Sequence, residues 1–293
     1  MPMPRIPGLS AALMGVALIA AVLAGPAAAE TANDKIKALH DLIMNPDSRL
    51  SASDTLTKLD LVDAAPGSRD AGRIDHLRAV IEAKVGPIDD AIRHGENALT
   101  IDAAQPFLEP KERMHLEYDV GNLYLAKQDC LDAIPHYRKS IAFMTTANGV
   151  TEDQKLGTEE QVAYCLHEVK DYAAARDLNQ KVLDAGAILH GAHSPLLIAG
   201  LVNLAQNEYA LGDHAAARAS LERVLDIATT ANDAEKVDVS LFQLGVLAFE
   251  DGRKDEAVKL MERRLELAKA IGNADRIAAA QAALDELHKK LGK

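Results

Sequence analysis

The sequence has no tryptophan and two cysteines, and aromatic residues make up 3% of its 293 positions. Large rings normally supply much of the buried area of a deep core, so their scarcity argues against one compact ball. It suits thin layers of helices that interlock through small side chains. Positive charge is also short: 32 Lys and Arg face 44 Asp and Glu, for a net charge of −12. A chain so acidic is repelled by phosphate backbones and anionic lipid, which excludes nucleic acid as the expected partner. With 48% hydrophobic and 26% charged residues, the chain is neither disordered nor a multi-pass membrane protein.

Catalytic signatures are missing as well. There is no Gly-x-Ser-x-Gly elbow, no phosphate-binding glycine loop ending in Lys and no His-Glu-x-x-His. His167-Glu168 is followed by Asp171, not by the histidine a zinc helix needs. His190 and His193 flank a short loop before Pro195, and a structural zinc site would require four ligands. We therefore expect no catalytic residues, no metal and no cofactor.

Residues 1–29 read as a secretory signal. Arg5 is the only charge before Glu30, an apolar stretch runs from Leu9 to Ala24, and Gly25-Pro26 precedes the small residues Ala27-Ala28-Ala29. Cleavage after Ala29 is expected, leaving a periplasmic or secreted chain with no membrane integration. The other reading is a retained anchor helix. In an oxidising compartment, Cys130 and Cys165 either form one disulfide or remain as two buried thiols.

What the sequence does contain is a repeat. Ala91, Ala133, Ala175, Ala217 and Ala257 are separated by 42, 42, 42 and 40 residues. Twelve positions before each lies another small residue: Ala79, Gly121, Ala163, Ala205 and Gly245. Eight positions after each lies an aliphatic: Leu99, Ile141, Leu183, Leu225 and Leu265. Between the two small columns runs a turn: Gly86-Pro87, Gln128-Asp129, Lys170-Asp171, Gly212-Asp213 and Gly252-Arg253. Glycine permits the left-handed end of a helix and Asp caps the next one. Each unit is thus a helix, a tight turn and a second antiparallel helix.

These residues resemble the tetratricopeptide repeat. The resemblance is carried by Leu204-Ala205, Gly212-Asp213, Ala217, Leu221 and Val224-Leu225, and again by Val120-Gly121, Tyr124, Ala133, Tyr137 and Ser140-Ile141. The spacing exceeds the usual period of about 34 and is similar to the long variety of kinesin light chains and bacterial proteins. Gly191-Ala192-His193-Ser194-Pro195, followed by Asn203-Leu204-Ala205, also fits that variety. The resemblance implies an all-α fold, a right-handed superhelical solenoid of antiparallel helix pairs. Five repeats are expected over 72–272, starting near 72, 114, 156, 198 and 238. Three residues depart from the pattern: Arg78 and Glu82 in the first unit, where Leu77 and Ile81 are expected to supply the apolar contacts, and Arg264 in the last.

Residues 30–71 do not continue the columns. Helices are expected at about Asp34–Met44 and Ser53–Ala64, separated by Asn45-Pro46-Asp47, as an N-terminal cap or a degenerate repeat. A final helix over 273–293 carries Ile277, Ala280, Leu284, Leu287 and Leu291 on one face, as a terminal cap should.

The resemblance further implies that the first helix of each unit lines a concave groove for a protein or peptide. Mapped onto this chain, the groove positions are Tyr118, Asn122 and Leu125; Glu160, Tyr164, His167 and Glu168; Val202, Asn203, Gln206 and Tyr209; and Phe242, Val246 and Phe249. The rings are then contacts for a partner. Alternatively, Tyr209 and Phe249 pack into adjoining helices and Asn203 only bridges repeats. Tyr124, Tyr137 and Tyr172 fall on packing columns. The expected function is an exported scaffold, in envelope assembly or as a co-chaperone. Self-assembly into a homo-oligomer is the alternative, and an unrecognised hydrolase is a remote one.

Overall fold

The computed structural model describes residues 31–43 and 51–292. The segment expected to be a signal and the break expected at Asn45-Pro46-Asp47 lie outside the described residues. Within them the chain forms thirteen α-helices and no strand. They are α1 (Ala32–Ile43), α2 (Ala52–Asp60), α3 (Arg69–Val85), α4 (Ile88–Ala104), α5 (Pro110–Ala126), α6 (Cys130–Phe143), α7 (Glu152–Glu168), α8 (Tyr172–His190), α9 (Ile198–Ala210), α10 (His214–Thr230), α11 (Ala234–Glu250), α12 (Lys254–Ile271) and α13 (Ala274–Lys290).

Every substantial helix contact is with a neighbour or near neighbour in the sequence. The strongest pairs are α3 on α4, α5 on α6, α7 on α8, α9 on α10 and α11 on α12, and each pair then leans on the next. That is a solenoid, in which a hairpin buries its apolar stripe only against the following hairpin.

The alanine column explains the close approach. Ala91, Ala133, Ala175, Ala217 and Ala257 are at most 1% exposed. The facing small column is equally tight. A methyl group at Gly121 would come within 2.9 Å of the Tyr137 ring, and one at Gly245 within 2.8 Å of the Met261 methyl. Residues larger than alanine in either column would push the paired axes apart.

The hairpin turns repeat one backbone solution. Gln128, Lys170, Gly212 and Gly252 all have positive φ, between 61° and 78°. The next amide reaches back five residues, as in Asp129 to the Tyr124 carbonyl and Asp213 to the Glu208 carbonyl, each at 2.9 Å. Asp129, Asp171 and Asp213 then cap the following helix with their side chains, whereas Arg253 makes no side-chain cap. The first unit differs. Gly86 is extended, with φ −101° and ψ −179°, because the residue before Pro87 is kept out of the helical region.

The departures from the repeat pattern find partners in the structure. Glu82 is buried and holds His94 Nδ1 at 2.5 Å. Glu208, at the corresponding place of the fourth unit, accepts the Ser220 hydroxyl at 2.7 Å, and burial raises its pKa. In the second unit Tyr124 takes that place. It stacks on His136, with ring centroids 5.6 Å apart, and its hydroxyl donates to Glu96. His136 also bridges Glu117 at 2.7 Å and Glu96 at 3.0 Å, tying α4, α5 and α6 together. Burial opposes its charge, but the hydrogen bonds to Glu117 and Glu96 outweigh this and push its pKa up to about 9. Arg78 is bound to Asp60 of α2.

At the N-terminal end, α1 and α2 bury Ile36, Leu39, Leu59 and Val62 against Ile74, Leu77 and Ile81 of α3. Helix α2 stops at Asp60, short of the expected Ala64. The amides of Leu61 and Val62 turn back to Lys58 and Leu59, and Ala65 must be extended before Pro66. At the other end, α13 lays Ala280, Leu284 and Leu287 on α12.

Candidate functional site

Helices α7, α9 and α11 are the first helices of the third, fourth and fifth pairs, and they stand side by side. Each ends in the left-handed turn, and their last turns form one surface together with parts of the second helices α8 and α10. Along this surface a groove of about 440 Å³ opens. Its walls are Val202, Gln206 and Tyr209 of α9 and Phe242, Val246 and Glu250 of α11, with Ala217 and Leu221 of α10 between them, and His167 and Tyr172 complete the lining.

Two rings of the groove are well exposed. Tyr209 is 47% exposed and Phe242 40%, although both border the groove. Each is held from behind. Tyr209 stacks nearly parallel on His214 at 5.1 Å, and its hydroxyl donates to Glu250 at 2.9 Å, which raises the tyrosine pKa. His214 in turn binds Asp251 at 2.6 Å. Phe242 lies under the guanidinium of Arg264, at 4.9 Å, and Arg264 is fixed by two bonds to Asp238 at 3.0 and 3.1 Å. Arg264, the departure in the last unit, thus supports a groove ring.

His167 is oriented by a relay. The Asn207 amide nitrogen donates to the Asn203 carbonyl at 2.9 Å, so the Asn207 oxygen faces His167 Nδ1 at 2.8 Å. His167 therefore donates from Nδ1 to the Asn207 oxygen. The Tyr172 ring meets it edge-on at 5.2 Å. The Gln243 amide oxygen is buried beside the groove without a hydrogen-bond partner among the described residues.

Of the positions singled out from the sequence, the structure gathers His167, Gln206, Tyr209 and Phe242, with Val202 and Val246, into this one groove. The others fall elsewhere. Asn122 receives the Tyr137 hydroxyl and lines a separate cleft of about 920 Å³ between α3 and α5. Tyr118 packs against Tyr137 and lines a third cleft, near the starts of α5 and α7. Tyr164 is 44% exposed on α7, outside these three clefts. Asn203 serves Asn207 through its carbonyl. Phe249 is outside the groove lining and packs with the cluster of α12 and α13 beneath Lys290. Among the lining residues outside the mapped positions, Tyr172 and Glu250 carry polar groups into the groove. Tyr172 was placed in a packing column, yet its position one residue after the Asp171 cap turns it back onto His167. Glu250 lies at the last position of α11, beyond the mapped places.

No group of three His, Cys, Asp or Glu among the described residues is placed to hold a metal ion. His190 and His193 go to separate partners, Asp153 and Asp226. The Cys130 and Cys165 sulfurs are buried 2.7 Å apart, and burial raises both thiol pKa values. No helix of the described residues is long and apolar enough to cross a membrane.

Residues 154–230 and 201–270 each match the tetratricopeptide repeat family. The solved structure of apo RapI aligns over 89% of this chain and 72% of its own, at 14% identity and a TM-score of 0.61. BtubC (BKLC) from P. vanneervenii aligns over 80% and 93%, at 18% identity and a TM-score of 0.54. Kinesin-light-chain-type TPR-like repeats from Podosopora anserina align over 69% and 98%, at 20% identity and a TM-score of 0.53. No curated protein matches the sequence. Residues 154–270 therefore carry the tetratricopeptide repeat pattern, and the described chain has the helical solenoid fold.

Proposed function

We propose that this protein is an exported binding scaffold that grips a protein or peptide partner in the groove between α7, α9 and α11, and that it is not an enzyme. The observation that carries the reading is the pair of exposed rings, Tyr209 and Phe242, each clamped from behind by a neighbour and open in front. Rigid rings lose little freedom on binding and bury much area, which is why such anchors dominate interfaces. His167 and the Gln206 amide stand beside them to bond a backbone.

Export follows from the apolar stretch at Leu9–Ala24 and the small residues before Glu30. We place the working protein in the cell envelope, assisting assembly or acting beside a chaperone. N-terminal sequencing of the mature protein tests the cleavage after Ala29.

The groove is tested with a Tyr209→Ala, Phe242→Ala double variant, alongside wild type, in affinity capture from an envelope extract with identification of what is bound. The partner held by the wild type should be lost from the variant while the melting temperature stays within a few degrees. Equal capture by both proteins rules the groove out.

A further inference from the structure

The groove of units three to five is one-sided in charge. Lysine and arginine are absent from its lining, and Glu250 is its single carboxylate. Glu250 is exposed and accepts the Tyr209 hydroxyl, but no cation of the described residues lies within ion-pair distance of it. Its neighbour Asp251 is differently placed, held by both His214 and Arg253. Tyr209 offers one face only, since His214 covers the other at 5.1 Å.

We infer that the occupant of this groove is a peptide segment bearing an arginine beside an apolar residue, with its guanidinium lying on the open face of Tyr209 and bonded to Glu250. The inference rests on the groove reading above and specifies its ligand. The apolar neighbour enters between Phe242 and Val246. Arginine fits better than lysine because a planar guanidinium stacks on a ring and bonds a carboxylate at the same time. A partner without a cation would cover Glu250 and leave its charge uncompensated, which disfavours neutral and acidic segments. The protein already uses this arrangement internally: Arg264 lies on Phe242 while bonded twice to Asp238. A net charge of −12 adds long-range attraction for a basic segment.

The test is selection of peptides from a random phage-displayed library on the full chain. Wild type should enrich sequences in which arginine adjoins an aliphatic or aromatic residue. A selected peptide is then resynthesised with citrulline in place of arginine, which keeps the shape and removes the charge. It should bind wild type about tenfold more weakly, while Glu250→Gln should bind both peptides alike. Groove-bound peptides without arginine enrichment, enrichment of lysine alone, or equal affinity for the citrulline peptide would overturn the arginine assignment and leave the groove standing. Failure to select any peptide displaced by Phe242→Ala or Val246→Ala would overturn the groove reading itself.

Discussion

The sulfur atoms of Cys130 and Cys165 stand 2.7 Å apart across the seam between the second and third helix pairs. Cys130 is the first residue of α6 and Cys165 lies near the end of α7, so antiparallel packing brings a helix start beside a helix end. Both are buried with Tyr137, Val162 and Ala175. Exposure to a small oxidant such as hydrogen peroxide should join them with loss of two hydrogens and release of water. The bridge would close a loop of roughly 36 residues and add about 3–4 kcal/mol in the chain-entropy model. Alkylation after unfolding, read by intact mass, gives the outcome. Two alkylated cysteines in peroxide-treated protein would show that the seam does not oxidise.

Gly121 and Gly245 occupy the same column against different neighbours. A methyl at Gly121 meets the rigid ring of Tyr137, which is fully buried and held by Asn122, whereas a methyl at Gly245 meets the flexible end of Met261. Gly121→Ala should therefore cost about 1–3 kcal/mol through overpacking. Gly245→Ala should be near neutral, since alanine improves helix propensity and a methionine can move aside. Chemical denaturation of the two variants makes the comparison. Equal losses would mean that ring rigidity does not decide the cost.

His136 sets a pH dependence with a definite sign. Its pKa is pushed up to about 9 in the folded chain by Glu117 and Glu96, against roughly 6.5 unfolded. A raised folded pKa means stability that is complete below about pH 6.5 and is lost as pH climbs through 9. The loss is of order 2–3 kcal/mol. His136→Gln should remove this slope and lower stability at neutral pH. Denaturant titrations between pH 7 and 10 on both proteins read it directly. Parallel curves for wild type and variant would show that the histidine is not the charge that matters.

Much of this fold was legible because a solenoid writes the same packing problem several times over. Ala133, Ala175 and Ala217 face equivalent helices, so one spacing exposes them all. The groove was less legible, because its walls depend on contacts between units. Arg264 broke the pattern in sequence. Its value lies in Asp238, 26 positions away on the partner helix, and in the ring of Phe242 beneath it. Phe249 matched the pattern, yet the residue that meets it from the next helix is Lys290 of α13, where Glu250 of α11 meets Tyr209. Glu82 broke the pattern too, and its partner His94 sits on the second helix of the same hairpin. Positions fixed by the repeat could be read column by column. Positions fixed by a unique partner could not.

The hairpin turns carry the last prediction. Gln128 and Lys170 occupy the left-handed region, with φ of 61° and 66°, where Gly212 and Gly252 stand in the later units. A residue with a Cβ pays about 1–2 kcal/mol for that conformation. Both side chains are exposed, so replacing them removes no packing. Against this, glycine has more freedom to lose on folding, at roughly 0.5–1 kcal/mol. The local strain wins, and Gln128→Gly and Lys170→Gly should each stabilise the chain by a few tenths to about 1 kcal/mol. The reverse change, Gly212→Ala, places a Cβ in the same strained geometry and should destabilise by a similar amount. Thermal and urea unfolding of the three variants test the set. If both glycine variants melt below wild type while Gly212→Ala melts above it, backbone conformation is not what these turns select for.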